Sequence, residues 1–439
     1  MDKTRVAIVV IVAAVAIGVG VSLAFQASTP PVIPPPPDNT PPPPSNGNNT
    51  DDHDNFSVLP DSNPPVVKDA GLRVEKVIEG LAAPTSMVFL DRDDLMIVQK
   101  DNGRVRHVSN GTLQPASLLE VPVRNNSERG LLGLAVADRM GKSDVFLYLT
   151  EESNGDTRNR VYRYDWAGQG SLSGGTLLLD LPGTPGPNHD GGKITLGPDG
   201  LLYVIIGDLN RDGMLQNFKN GPNPDDTSVI IRVDRNGMAS ENQPLSDGDP
   251  AIDDALASYY AYGIRNSFGL DFDPLTGTLW DTENGPADYD EINIVQPGFN
   301  SGWQQVMGPI ERTDDELDDL VSFEGSKYSD PIFSWRQAEG ITDIEFLNST
   351  TLGDRYSLNI FVGDINNGNL YLFTVNDERD GIIADGAGLQ DLVADNRDEV
   401  SVVTFGTGFG GITDIETGPD GYLYILTFGG DLYRIVPAR

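Results

Sequence analysis

The chain has 439 residues, with 66 Asp and Glu against 30 Lys and Arg, a formal net charge of −36 and no cysteine. That charge repels nucleic acid and anionic lipid surfaces and leaves neutral or cationic partners. Without cysteine there is no disulfide framework, no thiolate metal site and no thiol nucleophile.

At the N-terminus Lys3 and Arg5 precede an uncharged apolar run from Val6 to Phe25, close to the roughly 20 residues that a membrane-crossing helix needs. The basic flank would stay inside, placing everything after it outside the cell membrane. Ser22-Leu23-Ala24 also resembles a signal-peptidase site, so cleavage after Ala24 would give a secreted protein instead of an anchored one. Residues 1–27 are therefore expected to be a membrane anchor or signal peptide. Residues 28–66, with Pro34-Pro35-Pro36-Pro37 and Pro41-Pro42-Pro43-Pro44, form a Pro-rich linker whose composition stays extended and cannot bury a core. Residues 67–439 remain for a single globular domain.

In that domain Gly and Pro are abundant and apolar residues fall in short alternating runs, as in Leu201-Leu202-Tyr203-Val204-Ile205-Ile206. This pattern favours many short strands. A turn followed by such a run recurs, most clearly at Gly197-Pro198-Asp199-Gly200 and Gly418-Pro419-Asp420-Gly421. Asp-Gly between alternating hydrophobics is a hairpin signal, because Gly takes the positive φ of a tight turn without steric cost. Six such units at roughly 60 residues each fit a six-bladed β-propeller with long loops. A two-sheet sandwich is the alternative. The strand Leu432 to Val436 is expected to close the ring by pairing with the first blade.

Of three histidines, His53 lies in the linker, His107 in a strand pattern, and His189 in the loop Pro187-Asn188-His189-Asp190-Gly191-Gly192-Lys193. An imidazole in a glycine-flanked loop is suited to proton transfer, although a lone loop histidine is as readily a surface residue. Arg265, in Tyr262-Gly263-Ile264-Arg265-Asn266, offers a planar donor fork for a carboxylate or quinone oxygen, or for a structural ion pair. The Gly285-Pro286 carbonyls and nearby acids such as Asp290 offer oxygen ligands for a hard cation such as Ca²⁺; the same acids also suit a solvated turn.

Taken in order, these segments resemble the soluble quinoprotein glucose/sorbosone dehydrogenase family, the aldose sugar dehydrogenases. The resemblance runs from about Leu81 to Val436 and includes Gly130-Leu131-Leu132-Gly133-Leu134-Ala135, the His189-to-Lys193 loop, Gly263-Ile264-Arg265-Asn266, and Glu283-Asn284-Gly285-Pro286 with Asp290-Glu291-Ile292-Asn293. It implies a propeller binding pyrroloquinoline quinone (PQQ) and Ca²⁺, and oxidation of a neutral sugar at C1 with electrons passing to an unidentified acceptor. It further implies that His189 is the base and that Arg265 stabilises charge on the quinone. Arg265, Asn266 and Lys193 would contact cofactor, Glu128 and Asn188 substrate, and Gly285, Pro286 and Asp290 the metal. Gly411-Ile412-Thr413 stands where the family often has Arg-x-Arg. The competing reading is a non-catalytic, calcium-stabilised propeller that binds surface glycans or a partner protein.

Overall fold

The computed structural model describes residues 56–438 apart from 140, 314–315 and 385–387. The expected membrane helix and most of the linker lie outside the described residues. Among the described residues no helix is long and apolar enough to cross a membrane.

Both Gly-Pro-Asp-Gly phrases form turns between the first two strands of a sheet, and they do so with the same bonds. Asp199 accepts from the Leu201 N–H at 3.1 Å and the Tyr203 hydroxyl at 3.0 Å. Asp420 accepts from Tyr422 at 3.1 Å and Tyr424 at 2.8 Å. The closing glycines, Gly200 and Gly421, take φ of 76° and 83°, where a side chain would be strained.

The described strands make six sheets. Their first strands are Pro84–Asp91, Leu131–Arg139, Ile194–Leu196, Ser267–Phe272, Ile341–Phe346 and Ile412–Thr417. Each packs against the next and the last against the first, so the inner strands close a ring in a propeller-like, all-β arrangement. The C-terminal strand Leu432–Pro437 does not join the first sheet. It pairs antiparallel with Leu72–Ile78, Val74 opposite Ile435, so the chain's two ends complete the sixth sheet together and remove an open edge.

Carboxylates fasten neighbouring inner strands. Asp271 accepts from the Phe346 N–H at 2.7 Å, Asp343 from Ile415 at 2.9 Å, and Asp414 from Met87 at 2.6 Å. Each supplies an acceptor to a backbone donor that would otherwise be buried without one. The apolar core lies between sheets. Trp280, Phe333 and Trp335 of the fourth sheet pack on Tyr371 and Phe373 of the fifth, with Trp335 and Phe373 edge to face at 5.6 Å. Burying each such ring contributes about 1.5–3 kcal/mol.

The linker ends earlier than its composition suggests. Phe56 is buried against Met87, Ile97, Val108 and Leu426, Leu59 bridges to Lys76, and Val66–Val67 pairs with Thr404–Thr407. Apolar residues spaced among the prolines are enough to dock this stretch on the ring.

Candidate active site

The loop that carries His189 joins the second sheet to the third. His189 has φ of 64°, a left-handed conformation that costs a non-glycine residue energy. Two bonds hold it there: its N–H donates to Glu128 Oε2 at 2.7 Å, and its Nδ1 meets Asp208 Oδ1 at 2.6 Å. An ionised carboxylate only accepts, so Nδ1 carries a proton, and in the neutral ring Nε2 is the atom with the lone pair. Among the described residues nothing hydrogen-bonds Nε2, and the side chain is 11% exposed.

Asp208 follows the strand Leu202–Ile206 and is anchored on three sides. Its N–H donates to the Arg265 carbonyl at 2.9 Å, its Oδ1 also accepts from Asn210, and its Oδ2 accepts from the Trp303 indole at 2.7 Å. Gly207 makes this approach possible. A Cβ there would stand 2.5 Å from the His189 carbonyl oxygen and 2.6 Å from that of Arg265.

Arg265 lies with its guanidinium 5.3 Å from the Trp303 ring centroid, and Nη1 donates to the Asn284 carbonyl at 2.9 Å. Its backbone N–H donates to Glu283. Burial lowers its pKa, and the fields of Asp208, Glu128, Glu283 and Asp290 oppose that shift. Its Nε is buried without a partner. An orphaned donor on a buried cation beside an aromatic face suits a flat anionic or carbonyl-bearing ligand. On this observation the residues present fit a quinone carboxylate or oxygen.

Glu128 and Asn266 are tied to each other. Glu128 Oε2 accepts from Asn266 Nδ2 at 3.0 Å as well as from His189, while Asn266 Oδ1 accepts from Gly191 at 3.3 Å. Glu128 therefore spends one oxygen on the His189 loop, and Asn266 spends one of its two amide donors on Glu128. Asn188 accepts from the Ser127 hydroxyl. Behind the loop, burial pushes Asp190 up to about 7, with a hydrogen bond from Asn159 opposing and Glu128 adding repulsion.

Two residues depart from their expected places. Lys193 is committed to Asp343 at 2.7 Å and Asp414 at 2.6 Å, and it lines the axial channel. Asp290 accepts from four backbone N–H groups, those of Gly285, Glu339, Gly340 and Ile341, at 2.7–3.3 Å. Its carboxylate is a clamp for the Gly285 loop and not a free ligand. The carbonyls of Gly285 and Pro286 accept no backbone hydrogen bond among the described residues. No three His, Asp or Glu side chains converge as a metal centre among those residues. At Gly411 a Cβ would already stand 2.9 Å from Ile365, which leaves no space for a long cation without movement.

Sequence reasoning missed Asp208, Gly207 and Trp303. An aspartate two residues past an apolar strand was a visible signal for the first; nothing local marks Trp303.

A family model described as Glucose / Sorbosone dehydrogenase matches residues 81–434. Aldose sugar dehydrogenase YliI of Escherichia coli is 26% identical over 380 residues, covering 84% of this chain and 94% of that protein. The apo structure of the soluble aldose sugar dehydrogenase from Escherichia coli aligns with a TM-score of 0.65 at 24% identity, over 84% of this chain and 100% of that one. The PQQ-bound aldose sugar dehydrogenase of Streptomyces coelicolor aligns with a TM-score of 0.63 at 23% identity, over 85% and 99%. These two structures share the fold.

Proposed function

The chain belongs to the glucose/sorbosone dehydrogenase family, and from that premise we propose that it is a PQQ-dependent sugar dehydrogenase oxidising an aldose at C1 to the lactone. The observation that carries this reading is the His189 Nδ1 to Asp208 Oδ1 bond, which leaves Nε2 as a positioned proton acceptor, on an aspartate whose own N–H is held by the Arg265 carbonyl. The six sheets are read as six blades around a channel, with the site at one end.

When bound, PQQ supplies the carbonyl carbon that accepts hydride from C1. His189 Nε2 takes the proton of the anomeric hydroxyl, so that one hydride and one proton leave the sugar together. Asp208 stabilises the imidazolium that results, as a buried carboxylate does for a base of this kind. Arg265, through its unpaired Nε, and the Trp303 face would hold the quinone. The carbonyls of Gly285 and Pro286 would hold Ca²⁺, a Lewis acid that takes oxygen ligands. Glu128, through its second oxygen, and Asn188 would contact the sugar. The apolar N-terminal run supports an extracytoplasmic position, anchored in the membrane or secreted after cleavage.

The test is to load the purified protein with PQQ and Ca²⁺ and follow dye reduction over a panel of aldoses. Aldose-dependent turnover with bound quinone absorbance is expected. Absence of both would replace the enzyme by a glycan- or protein-binding propeller.

A further inference from the structure

Glu128 and Arg129 are neighbours just before Leu131–Arg139, the inner strand of the second sheet, and both act on the loop that carries His189. Glu128 takes the His189 N–H. Arg129 is 5% exposed, and its guanidinium is spent on the same loop at other points. Its Nη2 donates to the Gly183 carbonyl and, at 3.4 Å, to that of Pro185. Its Nε stands 3.7 Å from Asp190 Oδ1. The loop wraps the guanidinium so closely that a Cβ at Gly186, where φ is 48°, would collide with Nη2.

These contacts fall on the two arms of one loop. Gly183 and Pro185 follow Ser173–Pro182, the outermost strand of the second sheet, and Asp190 comes one residue after His189. The second arm is also fixed from behind, where Asp190 Oδ1 accepts from Asn159 at 2.9 Å and its carbonyl accepts from the Tyr148 hydroxyl at 2.8 Å. Asn159 donates to the Pro182 carbonyl as well, at 3.0 Å. Two buried side chains, Asn159 and Arg129, therefore each bridge both arms. Arg129 Nε and Asp190 Oδ2 are buried without a hydrogen-bond partner. Burying a cation mainly against neutral carbonyls, with its carboxylate beyond hydrogen-bond reach, is unfavourable compared with an apolar side chain of the same length. Stability alone does not account for an arginine here.

We propose that Arg129 is a positioning residue for His189, a clasp that draws Gly183 and Pro185 toward Asp190 and so holds the loop where Glu128 and Asp208 both reach the histidine. This rests on the reading of His189 as the proton acceptor. The loop needs such a clasp because His189 keeps a left-handed φ of 64° and is followed by Asp190 and two glycines, Gly191 and Gly192, whose φ values of 62° and 114° leave the backbone many alternatives. The first arm also touches the segment of Asp208, since the Gly186 N–H donates to the Leu209 carbonyl at 3.1 Å. If the arms part, His189 and Asp208 lose their register, and the ring is no longer confined to the tautomer with the proton on Nδ1.

The experiment reads the imidazole before any turnover. The full chain, free of quinone and labelled with nitrogen-15 at histidine, contains three imidazoles, His53, His107 and His189, and the His189 resonances are those lost in His189→Asn. At about pH 8.5, where an ordinary imidazole is neutral, wild-type His189 should report one tautomer, protonated at Nδ1. Arg129→Met should give a mixture of tautomers at His189 and leave His107 unchanged. In the quinone-loaded protein its kcat should fall about tenfold or more, with KM within about twofold of wild type. Arg129→Lys keeps a buried cation but has no fork to span both arms, so it should shift the tautomer and kcat in the same direction, and it carries the test if Arg129→Met does not fold. A folded Arg129→Met with the wild-type tautomer and kcat would overturn the proposal, whatever its Tm. So would an Arg129→Lys that matches wild type in both, since a point charge would then suffice. A shifted tautomer in Arg129→Met with no turnover by the loaded wild type would keep the clasp and remove the dehydrogenase reading instead.

Discussion

His189 and Asp208 are joined through Nδ1 and Oδ1 at 2.6 Å, and the other oxygen of Asp208 is held by the Trp303 indole at 2.7 Å. The aspartate is thus fixed before the imidazole is, and the imidazole has one orientation and one tautomer. Asp208→Asn offers an amide that can donate to Nδ1 and move the ring proton to Nε2. We expect kcat to fall by about 10²-fold or more with little change in KM. A variant with wild-type kcat would remove Asp208 from the proton path.

His189→Asn removes the acceptor itself and should lower kcat by about 10²- to 10⁴-fold while bound quinone absorbance persists. His107 is the control. Its Nε2 pairs with Asp94 at 2.6 Å and its ring meets Trp166 edge-on at 5.7 Å, in the outer part of the first sheet. His107→Asn should cost stability and leave kcat unchanged. Equal turnover by the two variants would end the assignment of the base.

Glu128 satisfies two donors at once, the N–H of His189 and the side chain of Asn266. Removing an acceptor and stranding a buried donor costs about 1–3 kcal/mol. Glu128→Ala should therefore lower both Tm and kcat, because the left-handed backbone at His189 loses its tether. Glu128→Gln retains an acceptor oxygen and should restore most of the kcat while KM changes with the lost charge. If Gln and Ala behave alike in kcat, Glu128 contributes charge and not position.

Much of this was legible in the sequence because it rests on local rules. The Gly-Pro-Asp-Gly turns, the alternating strands and the His189 loop each declare themselves within a few residues. What was not legible depends on contacts between distant sheets. Lys193 sits in the expected motif, yet Asp343 and Asp414, from two other sheets, claim its ammonium. Asp290 sits in an acidic run that suggests a metal, yet the turn at Glu339–Ile341 brings it backbone donors. The Ile-Thr-Asp-Ile-Glu phrase that begins at both Ile341 and Ile412 was the one available sign that carboxylates fasten the inner ring.

Asp190 gives the pH dependence a direction. Burial raises it to about 7 in the folded chain, against an ordinary value of 3.8. Between these values the folded state binds a proton that the unfolded state has released, so stability is full below about pH 4 and declines as pH rises toward 7. Asp271 at about 7 and Glu416 at about 8 act in the same sense. Melting measured from pH 4 to 8 in chelator should show this decline, and Asp190→Asn should make it shallower. A Tm that rises across this window would contradict the protonation of these groups.

Lys193 separates a structural cation from a cofactor ligand. Its ammonium balances Asp343 and Asp414 within the ring, and both aspartates also tie adjacent inner strands. Removing one partner of a buried ion pair leaves the other charge uncompensated, at about 3–5 kcal/mol. Lys193→Met should lower the melting temperature by several degrees at pH 8, less at pH 5, where Asp414, held by burial well above the usual carboxylate range, can take up a proton. Quinone affinity, read from absorbance titration below the melting transition, should stay within about threefold of wild type, because Asp343 and Asp414 already hold two of the three donors of Lys193. Arg265→Lys should show the reverse, with a small change in melting and a loss of quinone affinity of about tenfold or more, since a point charge cannot reproduce the guanidinium's stacked, forked geometry. If Lys193→Met loses affinity as Arg265→Lys does, the lysine reaches the cofactor after all, and the channel's charge balance must change when the quinone binds.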